Sequence, residues 1–239
     1  MKEILNVIRL DFITASPLAV GANLLILLFS IWFGFFYSPL ILIFLTVGAI
    51  GFILPLKVAA AKSGFNKFYG ILPVSRKNIT MGRFLYIFLV FFISQSAAAV
   101  LALTAHSLRL CDLLPDSKST MLEMVRASFD SKNVTLFLIF LISGVVCIIS
   151  AYLEMMIQIH GDEHLINIIA FTVISIAALF IAGVYLDSNT ALHFSGIFDI
   201  FYNIPTNTAQ FALGINAAEL VLCLFFGCIA VLRTSAREL

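Results

Sequence analysis

Six stretches of this chain are apolar for the length of a membrane-spanning helix, and that feature removes most folds from consideration. They cover residues 17–37, 39–56, 84–104, 134–153, 165–186 and 209–232. A bilayer core ~30 Å thick is crossed by about 20 apolar residues in a helix. A single strand leaves its backbone polar groups unsatisfied in lipid, so these runs predict helices. A barrel strand alternates apolar and polar residues, and none of the six does. The remaining residues do not change this picture. Only 11% of the chain is charged and 62% is hydrophobic, against about 25% and 45–50% in a soluble domain. A net charge of +1 also argues against a nucleic-acid binder, which concentrates basic residues on one surface. The expected class is an all-α integral membrane protein, one transmembrane domain over residues 1–239.

Lys and Arg set the orientation. Lys2, Arg9, Lys57, Lys62, Lys67, Arg76, Lys77, Arg83, Arg233 and Arg237 fall on one side of the predicted spans. Arg109, Lys118, Arg126 and Lys132 fall on the other, interleaved with Asp112, Asp116, Glu123 and Asp130. Both termini are therefore expected in the cytoplasm, with residues 105–133 as the main external loop. Residues 1–16 are too short and polar to span. Ile4, Leu5, Ile8 and Phe12 recur at helical spacing, which predicts an amphipathic helix in the interface. Pro17 is expected to separate it from the first span.

The most basic stretch, residues 62–86, carries the most information. Phe65, Phe68, Tyr69 and Leu72 recur at i, i+3, i+4 and i+7, one face of a short helix. Pro73 ends it, and Ser75 is placed to N-cap the helix that follows. Arg76 and Lys77 then occupy a first helical turn, where cations oppose the macrodipole. Topology fixing and lipid headgroups account for such charges. So does a docking surface for another protein, for which an exposed aromatic face between two spans is suited.

Tyr69 followed by Leu72-Pro73-Val74-Ser75-Arg76-Lys77 and the start of a span resembles the type-2 permeases of ATP-binding-cassette (ABC) transporters. The motif covers about 25 residues, and the six-span layout extends the likeness over the chain. Members often carry an acidic residue and a tryptophan where this chain has Ala60 or Ala61 and Phe65. The resemblance implies a six-span exporter subunit in a prokaryotic plasma membrane. It begins with an interfacial helix and carries a cytoplasmic coupling helix between spans two and three. Phe65, Asn66, Lys67, Phe68, Tyr69, Leu72, Pro73, Ser75, Arg76 and Lys77 would then contact a separate ATPase subunit, with a second permease, identical or homologous, completing the path. In keeping with a separate motor, the sequence has no G-x-x-x-x-G-K-[ST] and no Gly-Lys pair. No catalytic residue, cofactor or metal is expected in this subunit.

Polar residues within the spans are candidates for the translocation path: Asn23, Ser94, Gln95, Asn216 and Glu219. An acid within the hydrocarbon costs a few kcal/mol unless it faces a cavity or a partner. Gln95 and its serine neighbours equally suit helix–helix contact. Glu154 is expected to reach water at the inner end of the fourth span, and Gly48 and Gly51 to allow close packing. Two rival classes fit the sequence. One is a proton-coupled carrier working through Glu219. The other is a membrane-embedded metalloenzyme centred on His160, Glu163 and His164, an H-x-x-E-H match in a tight turn. Cys111, Cys147, Cys223 and Cys228 form no CxxC pair and predict neither zinc nor a disulfide framework.

Overall fold

The computed structural model describes residues 2–36, 38–50, 52–53, 75–108, 132–160, 174 and 208–235. Every described segment is helical or a turn between helices. The elements are α1 (Lys2–Phe36), a 3-10 turn (Pro39–Leu42), α2 (Ile43–Gly48), α3 (Arg76–Leu108), α4 (Lys132–His160) and α5 (Thr208–Ser235). Three stretches, Lys77–Leu108, Lys132–His160 and Thr208–Arg233, are long and apolar enough to cross a membrane. Each begins and ends beyond the apolar run expected from the sequence, because helix propagation continues through polar residues once the ladder is established. The external segment expected over 105–133 is thus shortened at both ends; its interior, the fifth apolar run apart from Ile174, and residues 54–74 lie outside the described residues.

The expected break at Pro17 is absent, since α1 runs unbroken for 35 residues. A proline deletes one ladder hydrogen bond and strains the preceding turn, but neighbouring helices can hold such a segment helical. Here the anchoring is visible. Val7 and Ile8 are buried, and Val7 sits directly over Gly82 of α3, where a Cβ would come within 2.9 Å of Val7 Cγ1. Asn78 Nδ2 donates to Glu3 Oε2 at 2.6 Å. The buried face is therefore Ile4, Val7, Ile8 and Asp11, whereas Leu5 is exposed. The helix packs on protein along the face one residue round from the apolar stripe.

The second apolar run is not one regular helix. After the 3-10 turn, α2 lasts six residues, and Ala49 N–H bonds back to Thr46 O at 3.2 Å. That shift takes from Leu45 O its usual i+4 donor. Ser94 Oγ of α3 replaces it, donating at 2.6 Å, and Tyr86 Oη donates to Phe52 O at 3.2 Å. Irregular backbone at membrane depth is tolerated where protein satisfies it.

α3 is the central element, packed on α1, α2, α4 and α5. Its Phe84, Tyr86, Ile87 and Phe91 are buried in one core with Cys147, Ala151, Cys223 and Ala230. Glycines set the closest approaches: Gly34 under Leu42, Gly82 under Val7, Gly144 under Ile215, and Gly227 against Met81 and Phe84. Small residues let helix backbones approach where lipid offers no hydrophobic drive. Gly48, expected in that role, lines grooves beside α2, and Gly51 lies outside the described residues.

Contacts fix the directions. Glu3 meets Asn78, so α1 and α3 start at the same end. Arg83, near the start of α3, pairs with Glu154, near the end of α4. Gly227, late in α5, packs on Met81 and Phe84. At the other end His106 meets Thr135, and Phe211 packs on Phe137 with ring centroids 4.5 Å apart. α3 therefore runs parallel to α1 and antiparallel to α4 and α5.

Candidate functional site

A small polar cluster lies where α3, α4 and α5 meet. Gln95 and Glu219 are fully buried, although 124 residues separate them in sequence. Gln95 Nε2 donates to Asn216 Oδ1 and to Glu219 Oε2 at 3.3 Å. Asn216 Nδ2 turns back on its own helix, donating to Ala212 O at 2.8 Å. The amide hydrogens of Gln95 are thus committed to two oxygens on one face of α5. Two acceptors remain: Gln95 Oε1 and Glu219 Oε1 are buried and have no hydrogen-bond partner among the described residues. Contacts of this kind within membranes contribute about 0.6–2 kcal/mol each. A carboxyl group at the centre of a membrane helix costs about 2.5–3.5 kcal/mol. One hydrogen bond does not offset that cost, so packing alone gives no reason to keep Glu219 here.

The cluster is closed toward α4, where Glu219 Oε1 is buried beside Gly144. A groove of about 410 Å³ runs between α4 and α5, and Glu219 forms part of its wall. Its apolar lining is Leu141, Val145, Ile148, Phe211 and Ile215, with Gly144, Gly214 and Ala218 between them. A Cβ on Gly144 would lie 2.9 Å from Ile215 Cγ2 and 3.2 Å from Glu219 Oε1. The glycine at 144 therefore lets Ile215 and the Glu219 carboxyl group pack directly against the backbone of α4. One turn nearer the basic end, the buried Cys147 and Cys223 sulfurs approach to 4.0 Å and close the helix pair.

Ser94, the sequence neighbour of Gln95, does not join the cluster; it serves the Leu45 carbonyl. Asn23 lies within α1, and its side chain is outside the described residues. Residues Phe65, Asn66, Lys67, Phe68, Tyr69, Leu72 and Pro73 also lie outside them. Ser75 N-caps α3 as expected: its carbonyl accepts from Ile79 N at 3.1 Å and its Oγ from Asn78 N at 3.4 Å. Lys77 is exposed in the first turn. The carboxylate that this turn lacks in sequence comes from Glu3 of α1, where a negative charge favours a helix N-terminus.

Glu154 differs from expectation. It does not reach water: it is buried, pairs with Arg83 at 3.6 Å and accepts from Gln158 Nε2 at 2.9 Å. Its partner, counted among the loop charges in sequence, lies inside α3 two turns past the cap. Only a pairing across helices could have disclosed this, and no local pattern carries it. Of the H-x-x-E-H residues, His160 ends α4, is exposed, and bonds Met156 O through Nδ1 at 3.0 Å. Glu163 and His164 lie outside the described residues. Among the described residues no three His, Cys, Asp or Glu side chains converge to hold a metal ion. No family model, curated protein or solved structure matches this chain.

Proposed function

We propose that this chain is the membrane-spanning subunit of an ATP-driven exporter of the type-2 ABC permease kind, in a plasma membrane with both termini cytoplasmic. It would work with a separate ATPase and a second permease copy or homologue. The observation that carries the reading is the 62–77 pattern, an aromatic helix face closed by Leu72-Pro73-Val74-Ser75-Arg76-Lys77, leading into a helix capped at Ser75 with Lys77 exposed beside it.

The helix directions support six crossings. α1 ends and α3 begins at opposite ends of the bundle, so the chain between them returns across it. α4 ends and α5 begins at opposite ends as well, so residues 161–207 connect the two faces, in keeping with the apolar run 165–186. The basic ends of α3 and α5 lie together with the start of α1, the arrangement expected of a cytoplasmic face. In this mechanism, closure of the ATPases displaces the helix bearing Phe65, Phe68, Tyr69 and Leu72. The Pro73–Ser75 corner passes that motion to α3. Because α3 packs on every other described helix, a tilt at its start is felt at Gln95. Aspartate at positions 68 and 69 (Phe68→Asp, Tyr69→Asp) tests the reading. The variant is expected to insert normally and to lose co-purification with the ATPase from native membranes. Retained co-purification would refute the coupling role.

Glu219 favours a second reading, a proton-coupled carrier, because an acid is held in the bundle with one oxygen unpartnered. Transport that follows the proton gradient and ignores ATP depletion would select it.

A further inference from the structure

We propose that the break in the second apolar run is a two-state hinge, in which Leu45 O exchanges its donor between Ser94 Oγ of α3 and Ala49 N–H of its own helix. The proposal deepens the permease reading, on which its part in transport rests, by naming the element of span two that yields when the coupling region moves. In the form described, Ala49 N–H bonds to Thr46 O at 3.2 Å, and Leu45 O accepts from Ser94 Oγ at 2.6 Å. Helical backbone resumes at Ile50. Such 3-10 bonding within a helix marks a hinge or a sequence under strain, and a side chain that enters the ladder is a known cause of bending. In the second, α form, Ala49 N–H returns to Leu45 O and the ladder is regular. The Ser94 hydroxyl then turns to Val90 O, four residues back on its own helix, a bond that helical serines make. Each form gives Leu45 O a donor and Ser94 an acceptor. Neither leaves a polar group bare, so the two lie close in energy, as a bistable element requires.

The two arms of the run belong to different cores. Leu42, Ile43 and Leu45 pack with Ala98, Ala102 and Ile139, whereas Ala49, Ile50 and Ile53 pack with Phe84, Tyr86 and Phe91. On α3, Ser94 falls between those two sets. The first arm is pinned where Leu42 fills the space over Gly34 of α1. At the break there is room to pivot: Gly48 borders a groove of about 230 Å³, shared with Val90 and Ser94, and a second of about 350 Å³ against α1. α3, by contrast, is one helix of 33 residues. When the helix bearing Phe65, Phe68, Tyr69 and Leu72 is displaced, the arm beyond Ala49 pivots and the first arm stays on α1. α3 remains the stiff member that carries the motion to Gln95.

The experiment uses the full chain in lipid nanodiscs, without any ATPase. Gly-Ala occurs at 21–22 and 48–49 and nowhere else, so NMR-active isotopes at glycine carbonyl carbons and alanine amide nitrogens select two amides. Ala49 reports the hinge, and Ala22, inside α1, is the control. By relaxation dispersion Ala49 is expected to exchange between two states, the minor one populated at about 0.1–10%, and Ala22 to show no such exchange. Ser94→Ala leaves Leu45 O bare in the 3-10 form alone, and is expected to raise the ratio of α form to 3-10 form about tenfold. Ser94→Thr keeps the hydroxyl and is expected to leave the ratio near that of the wild type. Should Ser94→Ala unfold, Ser94→Cys, a weaker donor of similar size, is expected to raise the ratio in the same sense. A single state at Ala49, the same exchange at Ala22, a ratio that loss of the hydroxyl does not raise, or an equal rise in Ser94→Thr would overturn the proposal and leave the permease reading standing. Retained co-purification of the variant at positions 68 and 69 would refute that reading and leave the hinge in place.

Discussion

Replacing Glu154 with leucine is expected to destabilise the bundle by up to about 3–5 kcal/mol, the cost of breaking a buried ion pair by removing one of its charges. Arg83 and Glu154 stand 3.6 Å apart, with side chains 16% and 6% exposed, so water screens neither much. At that separation and an effective dielectric constant of about 20, their attraction is about 4–5 kcal/mol. Much of this is offset by the cost of bringing both charges out of water. The pair as a whole therefore contributes little, whereas half of it is expensive. A second variant makes the distinction. Arg83→Met together with Glu154→Leu removes both charges and keeps the volume, and should return to within about 1 kcal/mol of wild type. Detergent-solubilised protein titrated with SDS gives the stabilities, followed by the fluorescence of Trp32, the one tryptophan in the chain. The reasoning fails if Glu154→Leu changes stability by less than about 1 kcal/mol, or if the double variant is as unstable as the single one. Either result would mean that α3 and α4 do not meet in this register near the basic end.

Two further substitutions probe the same scaffold. Ser94→Ala removes the donor that serves Leu45 O, and is expected to cost about 1–3 kcal/mol because the carbonyl is left unsatisfied at membrane depth; an unchanged SDS midpoint would show that α2 is satisfied otherwise. Gly82→Ala places a Cβ 2.9 Å from Val7 Cγ1 and should destabilise by about 1–3 kcal/mol through overpacking. It should also raise protease cleavage within the first turns of α1, and no change in either would show that the N-terminal turns are not seated on α3.

Parts of this architecture could be read locally. Apolar runs of bilayer length predicted helices, and the described runs are helical. A serine following a proline predicted the start of α3, and Ser75 caps it. Other features were hidden for identifiable reasons. Proline punctuation predicted a break at Pro17, yet α1 runs on unbroken, with Val7 and Glu3 held by α3. Apolar periodicity marked Ile4, Leu5, Ile8 and Phe12 as the interfacial face of that segment, while the side packed on protein also takes in Val7 and Asp11. Within the second run nothing in composition marks the shift at Ala49, because the compensating donors, Ser94 and Tyr86, lie on another helix. Ser94 and Gln95 are adjacent and similarly polar, but one residue is 100° of helix rotation, enough to send them to different neighbours.

Sequence alone determined that this chain lives in a membrane as helices, because backbone polar groups in hydrocarbon allow little else. It also determined which end is basic, since charge is a property of residues and not of their arrangement. Tertiary structure decided which helix faces meet, and with that everything chemical about the interior. Lipid is as apolar as leucine, so hydropathy cannot separate a buried face from an exposed one; the choice falls to glycines that admit a neighbour and to polar groups that find one. Gln95, Asn216 and Glu219 became a site only when α3 and α5 packed antiparallel, and Glu219 fits against a third helix because residue 144 there has no side chain.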